Sequence, residues 1–205
     1  MINYLPEPNN KDFLDLVLRF ARLAEYREGD NTHHLTRIRR YCRIMASTYG
    51  LSPQETEIIA IASQLHDLGK IRIPKGMVHK ADNLNPDEWE IIKSHTTIGA
   101  NLLKGSSSPI IQAGEIIALT HHERWDGSGY PKGLKGDEIP ISGRICAVAD
   151  VFDALTTRRS YKDEITPKEA FKLVQDYSGE LFDPSLVEIF VKKYDEIKKI
   201  REKVR

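Results

Sequence analysis

The sequence predicts an all-α domain, because apolar residues recur at helical spacing along nearly all of its 205 residues. The segments between these periodic stretches are short and carry residues that begin or end helices, such as Gly50 and the Ser52–Pro53 pair. Sustained alternation of apolar and polar residues, the pattern of a strand, is missing, although residues 70–78 suggest a short extended piece. We therefore expect a compact helical bundle whose functional side chains lie at helix ends and in loops.

Each predicted helix is supported by signals in its own sequence. Residues 11–26 and 34–50 show apolar residues every three or four positions, and the second stretch stops at Gly50, a typical C-terminal cap. The third helix begins with Ser52 as N-cap and extends to Lys70, and the fourth begins at about Pro86 after Asn85. The remaining predicted helices cover residues 109–123, 141–157, 166–179 and 183–200.

Composition limits the classes of function. Lys and Arg together number 30 and so do Asp and Glu, which gives a formal net charge of zero. This balance argues against duplex nucleic acid or an anionic membrane as the main partner. Two cysteines, the lack of a signal peptide and apolar runs shorter than the ~18 residues of a membrane span favour a cytoplasmic protein. We expect one domain over residues 11–205, preceded by a short extension over residues 1–10.

The placement of the seven histidines is the most informative feature. Several stand beside carboxylates or inside apolar helical patterns, where a buried His or Asp is costly unless it has a partner. We assign His33 and His79 to the surface, because a lone histidine in a helix is usually solvated or satisfied locally. The predicted inward-facing set is His34, His66, Asp67, His95, His121, His122 and Asp150, with Asp30 joining if the second helix extends that far.

Seven or eight such donors suggest two metal ions, or three if Asp30 takes part, because one ion commonly binds four to six ligands. Imidazole and carboxylate together suit iron, manganese, zinc or nickel. A carboxylate such as Asp67 can bridge two ions, which is the arrangement of a two-metal phosphoester hydrolase. Lys70, four residues after His66, would lie over the same point. Asp153 is better placed to orient a histidine ring than to bind an ion.

Four segments carry a family resemblance. HDLGK (66–70), His95 in KSHTTIGA, HHERWDGSGYP (121–131) and ADVFDALTTRRSYK (149–162) resemble, in this order, the HD-GYP domain, a branch of the HD phosphohydrolase superfamily. The resemblance covers roughly residues 11–200. It implies an HD-type helical bundle with a binuclear or trinuclear metal centre, often iron, in its core. It also implies hydrolysis of cyclic di-GMP to linear pGpG, and in some members to GMP, by a metal-activated hydroxide.

The resemblance also implies roles for single residues. The seven inward-facing residues would be the metal ligands, and Lys70 would lie near the scissile phosphate. Tyr130 would face the substrate from a glycine-rich loop at the rim, and Arg159 and Lys162 would hold its phosphates. In the family this loop is also implicated in docking of GGDEF cyclase domains. The glycines at 127, 129 and 133 would let the backbone turn sharply beside His121 and His122.

The sequence also departs from the family pattern. Trinuclear members have Glu where this chain has Asp30, and the following NTHH lacks the expected glycine, so we expect two ions, iron or manganese, rather than three. Two other functions are considered beside hydrolysis of cyclic di-GMP. One is hydrolysis of another cyclic dinucleotide or a nucleotide at the same centre. The other is a silent module that binds cyclic di-GMP or a GGDEF domain, which predicts losses among the ligands or at Lys70.

Overall fold

A computed structural model describes residues 10–26, 32–78, 80, 84–157 and 164–204. The predicted all-α class is confirmed: these residues contain no strand, and they form eleven α-helices joined by short turns. The helices are, in chain order, α1 (Asn10–Tyr26), α2 (Thr32–Tyr49), α3 (Pro53–Ala62), α4 (Lys75–Val78), α5 (Pro86–Lys93), α6 (His95–Leu103), α7 (Pro109–Thr120), α8 (Ile141–Thr156), α9 (Pro167–Asp176), α10 (Pro184–Lys192) and α11 (Tyr194–Lys203).

The predicted helix starts are formed by their own side chains. Ser52 caps α3 in a reciprocal box with Glu55, in which each side chain bonds the other residue's backbone amide. Asn85 and Glu88 do the same for α5, and a further box caps α9. Gly50 follows α2 with a φ of +103°, a left-handed conformation that glycine adopts without strain. Local sequence therefore fixes these boundaries.

Three predicted helices are interrupted, and the extended piece over residues 70–78 is absent. The third helix ends at Ala62, and two short 3₁₀ turns, Ser63–Leu65 and Leu68–Arg72, follow it. The prediction of one helix through Lys70 was therefore wrong, and His66 and Asp67 lie in the turn between the two 3₁₀ segments. In the same way the predicted helix that starts at Pro86 breaks at Ser94, between α5 and α6. The predicted last helix breaks at Lys193, between α10 and α11.

Side chains that bond the preceding turn explain the breaks near the histidines. Ser63 Oγ donates to the Ala60 carbonyl at 2.9 Å, and Ser94 Oγ donates to the Ile91 carbonyl at 2.6 Å. Such bonds compete with the backbone ladder and bend a helix. The consequence is that His66 and His95 each stand at a helix end, where their rings can turn away from the helix surface.

The core consists of two apolar clusters. The larger one centres on α2 and α8, with Ile38, Met45 and Phe152 fully buried, and the smaller one includes Leu35 and Leu65. Helices α2 and α7 contribute to both clusters, and they position His34 and His121 respectively. These two histidines are thus placed by helices that are anchored in both apolar clusters.

Gly69 allows the turn after Asp67 to touch α6. A methyl group on Gly69 would lie 1.9 Å from the carbonyl oxygen of His95 and 2.6 Å from the amide nitrogen of Gly99. Both atoms belong to the backbone and have no freedom to move aside. The close approach brings Asp67 and His95 together, which explains the glycine in HDLGK.

We expect Gly69→Ala to lower the free energy of unfolding by about 1–3 kcal/mol, the usual cost of overpacking, and to impair metal binding. The matched control is Gly76→Ala, because a methyl group there meets nothing within 4 Å. Urea unfolding and metal titration of both variants measure the effect. Equal stability and metal affinity in the two variants would show that the contact at Gly69 does not position the site.

Candidate metal centre

Four histidines of the predicted set are held in the same way, with Nδ1 bonded to a protein oxygen. The partners are the Ser63 carbonyl for His66 (2.9 Å), the Ile92 carbonyl for His95 (2.7 Å), the Ile117 and Ala118 carbonyls for His121 (3.0 and 3.1 Å), and Asp153 Oδ2 for His34 (2.7 Å). Because these oxygens can only accept, Nδ1 carries the proton and a neutral ring keeps the lone pair of Nε2. Metal-binding histidines are oriented by such bonds.

The Nε2 atoms meet in two pairs, His34 with His66 at 3.5 Å and His95 with His121 at 3.4 Å. Two lone pairs at this separation repel each other unless a cation or a proton lies between the rings. All four side chains are buried, so water cannot screen that repulsion. The geometry therefore fits bound cations.

Asp67 connects the two histidine pairs. Its Oδ2 lies 3.1 Å from His66 Nε2, and its Oδ1 lies 3.3 Å from His95 Nε2 and 3.6 Å from His121 Nε2. Oδ1 is buried and has no hydrogen-bond partner among the described residues. A buried carboxylate oxygen without a donor is costly, and a metal ion would satisfy it.

The ligand atoms fall into two overlapping sets that share Asp67, and the atoms of each set lie within 4.8 Å of one another. Asp150 is adjacent to one set, with its Oδ1 3.7 Å from His34 Nε2 and 3.6 Å from His66 Nε2. All seven predicted residues therefore come together. One set consists of Asp67, His95, His121 and His122, and the other consists of Glu25, His34, His66 and Asp67.

Glu25 is the member that the sequence did not predict. It lies near the end of α1, is 4% exposed, and has its Oε1 3.9 Å from His34 Nε2. It shares a helix face with Ala21 and Ala24, which are also buried, while Leu16 and Phe20 on the same helix are exposed. The alanine face was the available clue, because small residues let a helix approach closely.

The surroundings of the centre raise the pKa of His66 and lower the pKa values of Asp67 and His122. Burial alone would lower the pKa of His66, but Asp67 and Asp150 raise it well above the usual value. Burial would raise the pKa of Asp67, but His66 and Lys70 lower it well below the usual range. For His122, burial and the neighbouring rings of His121 and His95 lower the pKa well below normal. The carboxylates around His66 thus favour a cation there, either a proton or a metal ion that displaces it, and the lowered pKa of His122 favours the neutral ring that a ligand requires.

Lys70 and Asp153 occupy the positions around the centre that the sequence suggested. Lys70 Nζ donates to Asp67 Oδ2 at 2.6 Å, so it lies beside the shared carboxylate. Asp153 accepts from Arg37 Nε and Nη2 at 2.6 and 2.8 Å as well as bonding His34. These bonds lower the pKa of Asp153 to about 2 against the opposing effect of burial. Asp153 therefore orients the His34 ring.

The glycine-rich loop is tied to the centre through its backbone and through Glu123. The buried Glu123 carboxylate accepts from the backbone amides of Lys132 and Leu134 at 2.8 and 3.1 Å. The Tyr130 amide donates to the His122 carbonyl at 3.2 Å, and the Tyr130 ring stacks on the His122 ring with centroids 4.8 Å apart. A methyl group on Gly129 would lie 2.3 Å from the Arg124 amide nitrogen. The loop thus holds Tyr130 against the histidines.

Some predicted residues cannot be placed. Asp30, Arg159, Lys162 and His79 lie outside the described residues, and their predicted positions stay predictions. His33 is exposed, as expected for a surface histidine. Cys42 and Cys146 are both buried and free, in accord with the expectation that they form no disulfide framework. Across the described ranges, no helix has the length and apolar character needed to cross a bilayer.

A buried cluster of histidines and carboxylates inside a helical bundle defines a helical domain with a candidate metal centre. The model of the HD domain family matches residues 19–186, which is most of the chain. The chain belongs to the HD domain family, and the predicted resemblance is confirmed.

Two curated proteins are similar over most of this chain. A cyclic di-GMP phosphodiesterase of Thermotoga maritima is 49% identical over 188 residues, which are 91% of this chain and 51% of that protein. A 3′3′-cGAMP-specific phosphodiesterase of Vibrio cholerae is 44% identical over 187 residues, 91% of this chain and 36% of that protein. This chain therefore spans about half the length, or less, of these relatives.

One solved structure shows the same fold. A cyclic GMP-AMP-specific phosphodiesterase of V. cholerae superposes with a TM-score of 0.68 at 21% identity, over 93% of this chain and 52% of that one. At this identity the likeness concerns the arrangement of helices. The helical bundle described above is thus also the fold of that structure.

Proposed function

We propose that this chain is a metal-dependent phosphodiesterase that hydrolyses cyclic di-GMP to linear pGpG, with GMP as a further product if a second cleavage follows. The observation that carries the proposal is the pair of overlapping ligand sets that share Asp67. Two ions held this way would lie close enough to act on one phosphate. We infer two ions because the donors form two sets, and we infer iron or manganese from the family resemblance, since imidazole and carboxylate would also suit zinc or nickel.

The ions, when bound, would polarise the phosphoryl oxygens and lower the pKa of water toward ~7. The protein's own residues supply the rest. His34, His66, His95 and His121 present Nε2 in fixed directions, because their Nδ1 atoms are held. Lys70, whose side chain is 16% exposed beside Asp67, places a positive charge where an anionic diester would enter. That charge would also stabilise the additional negative charge of the transition state.

The similar proteins support cyclic dinucleotides as the substrate class and leave two candidates. Cyclic di-GMP comes first, because the 49% identical relative carries that name. 3′3′-cGAMP is the second, because the 44% identical relative is named for it. A silent binding module is less favoured: it predicts losses in the centre, whereas the seven ligand residues and Lys70 are present and adjacent.

The test is anaerobic incubation of protein loaded with Fe(II) or Mn(II) with cyclic di-GMP and, separately, with 3′3′-cGAMP, followed by chromatography of the products. We expect pGpG or GMP from cyclic di-GMP. Binding of cyclic di-GMP without any product, with two equivalents of metal confirmed, would instead support the silent module. Phosphate binding by Arg159 and Lys162, and docking of GGDEF domains by the glycine-rich loop, stay predictions from the resemblance.

We also propose that Glu25 is a metal ligand on the His34 side of the centre. Its substitution by glutamine keeps the shape and removes the charge. Glu25→Gln is expected to weaken metal affinity at least about tenfold, a typical minimum for altering a metal's close partners. Asp15→Asn is the matched control, because Asp15 lies on the same helix but is exposed and paired with Arg19. Calorimetric titration with Mn(II) measures both, and equal affinities would exclude Glu25 as a ligand.

A further inference from the structure

Trp89 is a large aromatic side chain on the surface beside the metal centre. It lies on α5, a helix with no fully buried residue, and it is 44% exposed. Its ring centroid lies 6.1 Å from that of Tyr130, with the two rings inclined at 75°. A tryptophan contributes little to stability in such a position, because it leaves much of its apolar area in water.

An aromatic path connects Trp89 to the ligand histidines. Tyr130 stacks on His122 at 27°, and the His122 ring lies 4.0 Å from that of His121. Tyr130 itself is engaged, since His122 lies along its ring and Lys93 Nζ stands over it at 5.8 Å from the centroid. Among the described residues, Trp89 is therefore the exposed aromatic side chain next to the centre that has open surface for a ligand.

We propose that Trp89 is a stacking site for a purine base of the substrate. This inference rests on the proposed function and specifies how the substrate is held. In a cyclic dinucleotide each base is separated from its phosphate by one ribose, so a phosphate at the metals would leave a purine within reach of the neighbouring Tyr130 and Trp89 rings. Base–aromatic stacking does not depend on the identity of the base, so the same indole would accept guanine or adenine.

One charge near Trp89, that of Lys93, suits this role, although Asp87, Glu88 and Glu90 lie on the same helix. Lys93 is half-buried, its Nζ lies over the Tyr130 ring, and it forms an ion pair with Glu90 on the same helix. A cation at this point favours an anionic ligand and the carbonyl edge of a purine. A purine nucleotide could stack its flat base on the Trp89 indole and place its phosphate near the Lys93 ammonium at the same time.

The chain's two tryptophans allow a direct optical test. In Trp125→Phe, Trp89 is the single tryptophan, and in Trp89→Phe only Trp125 remains, which lies against Arg144 with the guanidinium carbon 5.5 Å from its ring centroid. Metal-loaded variants are mixed with cyclic di-GMP in a stopped-flow instrument and read before turnover. We expect quenching of Trp89 emission and little change for Trp125. Inorganic phosphate, which has no base, should quench neither.

Steady-state kinetics provide the second measurement. Trp89→Ala should raise KM for cyclic di-GMP by about 5- to 150-fold with a smaller change in kcat, because stacking contributes equally to ground and transition states. Trp89→Phe should retain most of the affinity, and Trp125→Phe should keep the wild-type KM.

The outcomes separate this inference from the proposed function. If wild-type protein hydrolyses cyclic di-GMP while Trp89 emission and the KM of Trp89→Ala are unchanged, the stacking site is wrong and the function stands. If wild-type protein neither binds nor hydrolyses a cyclic dinucleotide, both are wrong. Quenching at Trp89 without hydrolysis would support the stacking site and contradict the enzyme.

Discussion

Asp67→Asn is expected to abolish hydrolysis of cyclic di-GMP and to reduce bound metal to at most one ion. Asp67 is the only residue shared by the two ligand sets among the described residues, and each of its oxygens faces a different histidine pair. Asparagine keeps the size but supplies one neutral oxygen in place of two charged ones. Loss of one electrostatic donor typically costs 10²–10³ in rate, so losing a bridging ligand should lower kcat/KM by more than about a thousandfold.

The control for this substitution is Asp176→Asn, because Asp176 is an exposed carboxylate on α9. Metal content by mass spectrometry and product formation by chromatography are measured for both variants, with circular dichroism to verify the helical fold. Asp67→Asn should remain folded, since the apolar clusters do not depend on Asp67. Turnover within tenfold of the wild-type rate would contradict a centre built around Asp67.

Most of the histidine set could be predicted because its members carry local clues. His66 is adjacent to Asp67, His121 to His122, and Asp150 stands inside an apolar helix, so each pattern would be costly without a shared ligand. Helical periodicity also distinguished the inward His34 from the exposed His33. The structure brings together the residues that these patterns selected.

Glu25 could not be predicted in the same way, because its one local clue, the alanine face with Ala21 and Ala24, does not by itself show which face of α1 is buried. Its burial depends on which face of α1 packs on the domain, and the larger apolar residues Leu16, Phe20 and Leu23 face solvent. Because α1 has both an alanine face and a leucine face, its apolar periodicity is compatible with burial of either one. The contact of α1 with the turn after Asp67 determines which face is buried. This contact joins segments that are distant in sequence, so local patterns do not predict it.

The helix interruptions escaped prediction for a related reason. Helical propensity is continuous through residues 52–70, yet the chain leaves the α-helix at Ser63 so that Gly69 can reach the backbone of α6. Competition from serine side chains is weak by itself and becomes decisive only when packing supports the bend. His66, Asp67 and His95 lie at these bends, so part of the site is formed by departures from regular helix.

Asp153→Ala is expected to lower the free energy of unfolding by about 3–5 kcal/mol, the usual cost of leaving a buried charge unpaired. Arg37 and Asp153 are 1% and 0% exposed, and the carboxylate accepts two of the guanidinium's bonds. Among the described residues, Arg37 would keep as hydrogen-bond acceptors the neutral Val204 carbonyl and Thr157 hydroxyl. The same change removes the oxygen that orients His34, so metal affinity should fall about 10- to 100-fold.

The double variant Arg37→Leu with Asp153→Leu separates these two consequences. Replacing both charges with apolar groups removes the unpaired guanidinium, so much of the lost stability should return. Metal affinity should remain low, because His34 Nδ1 still lacks the Asp153 oxygen that it bonds at 2.7 Å. Urea unfolding of metal-free protein and titration with Mn(II) give the two quantities independently. Recovery of metal affinity along with stability would mean that Asp153 acts on the centre only by holding the fold, whereas stability without affinity identifies it as the residue that positions His34.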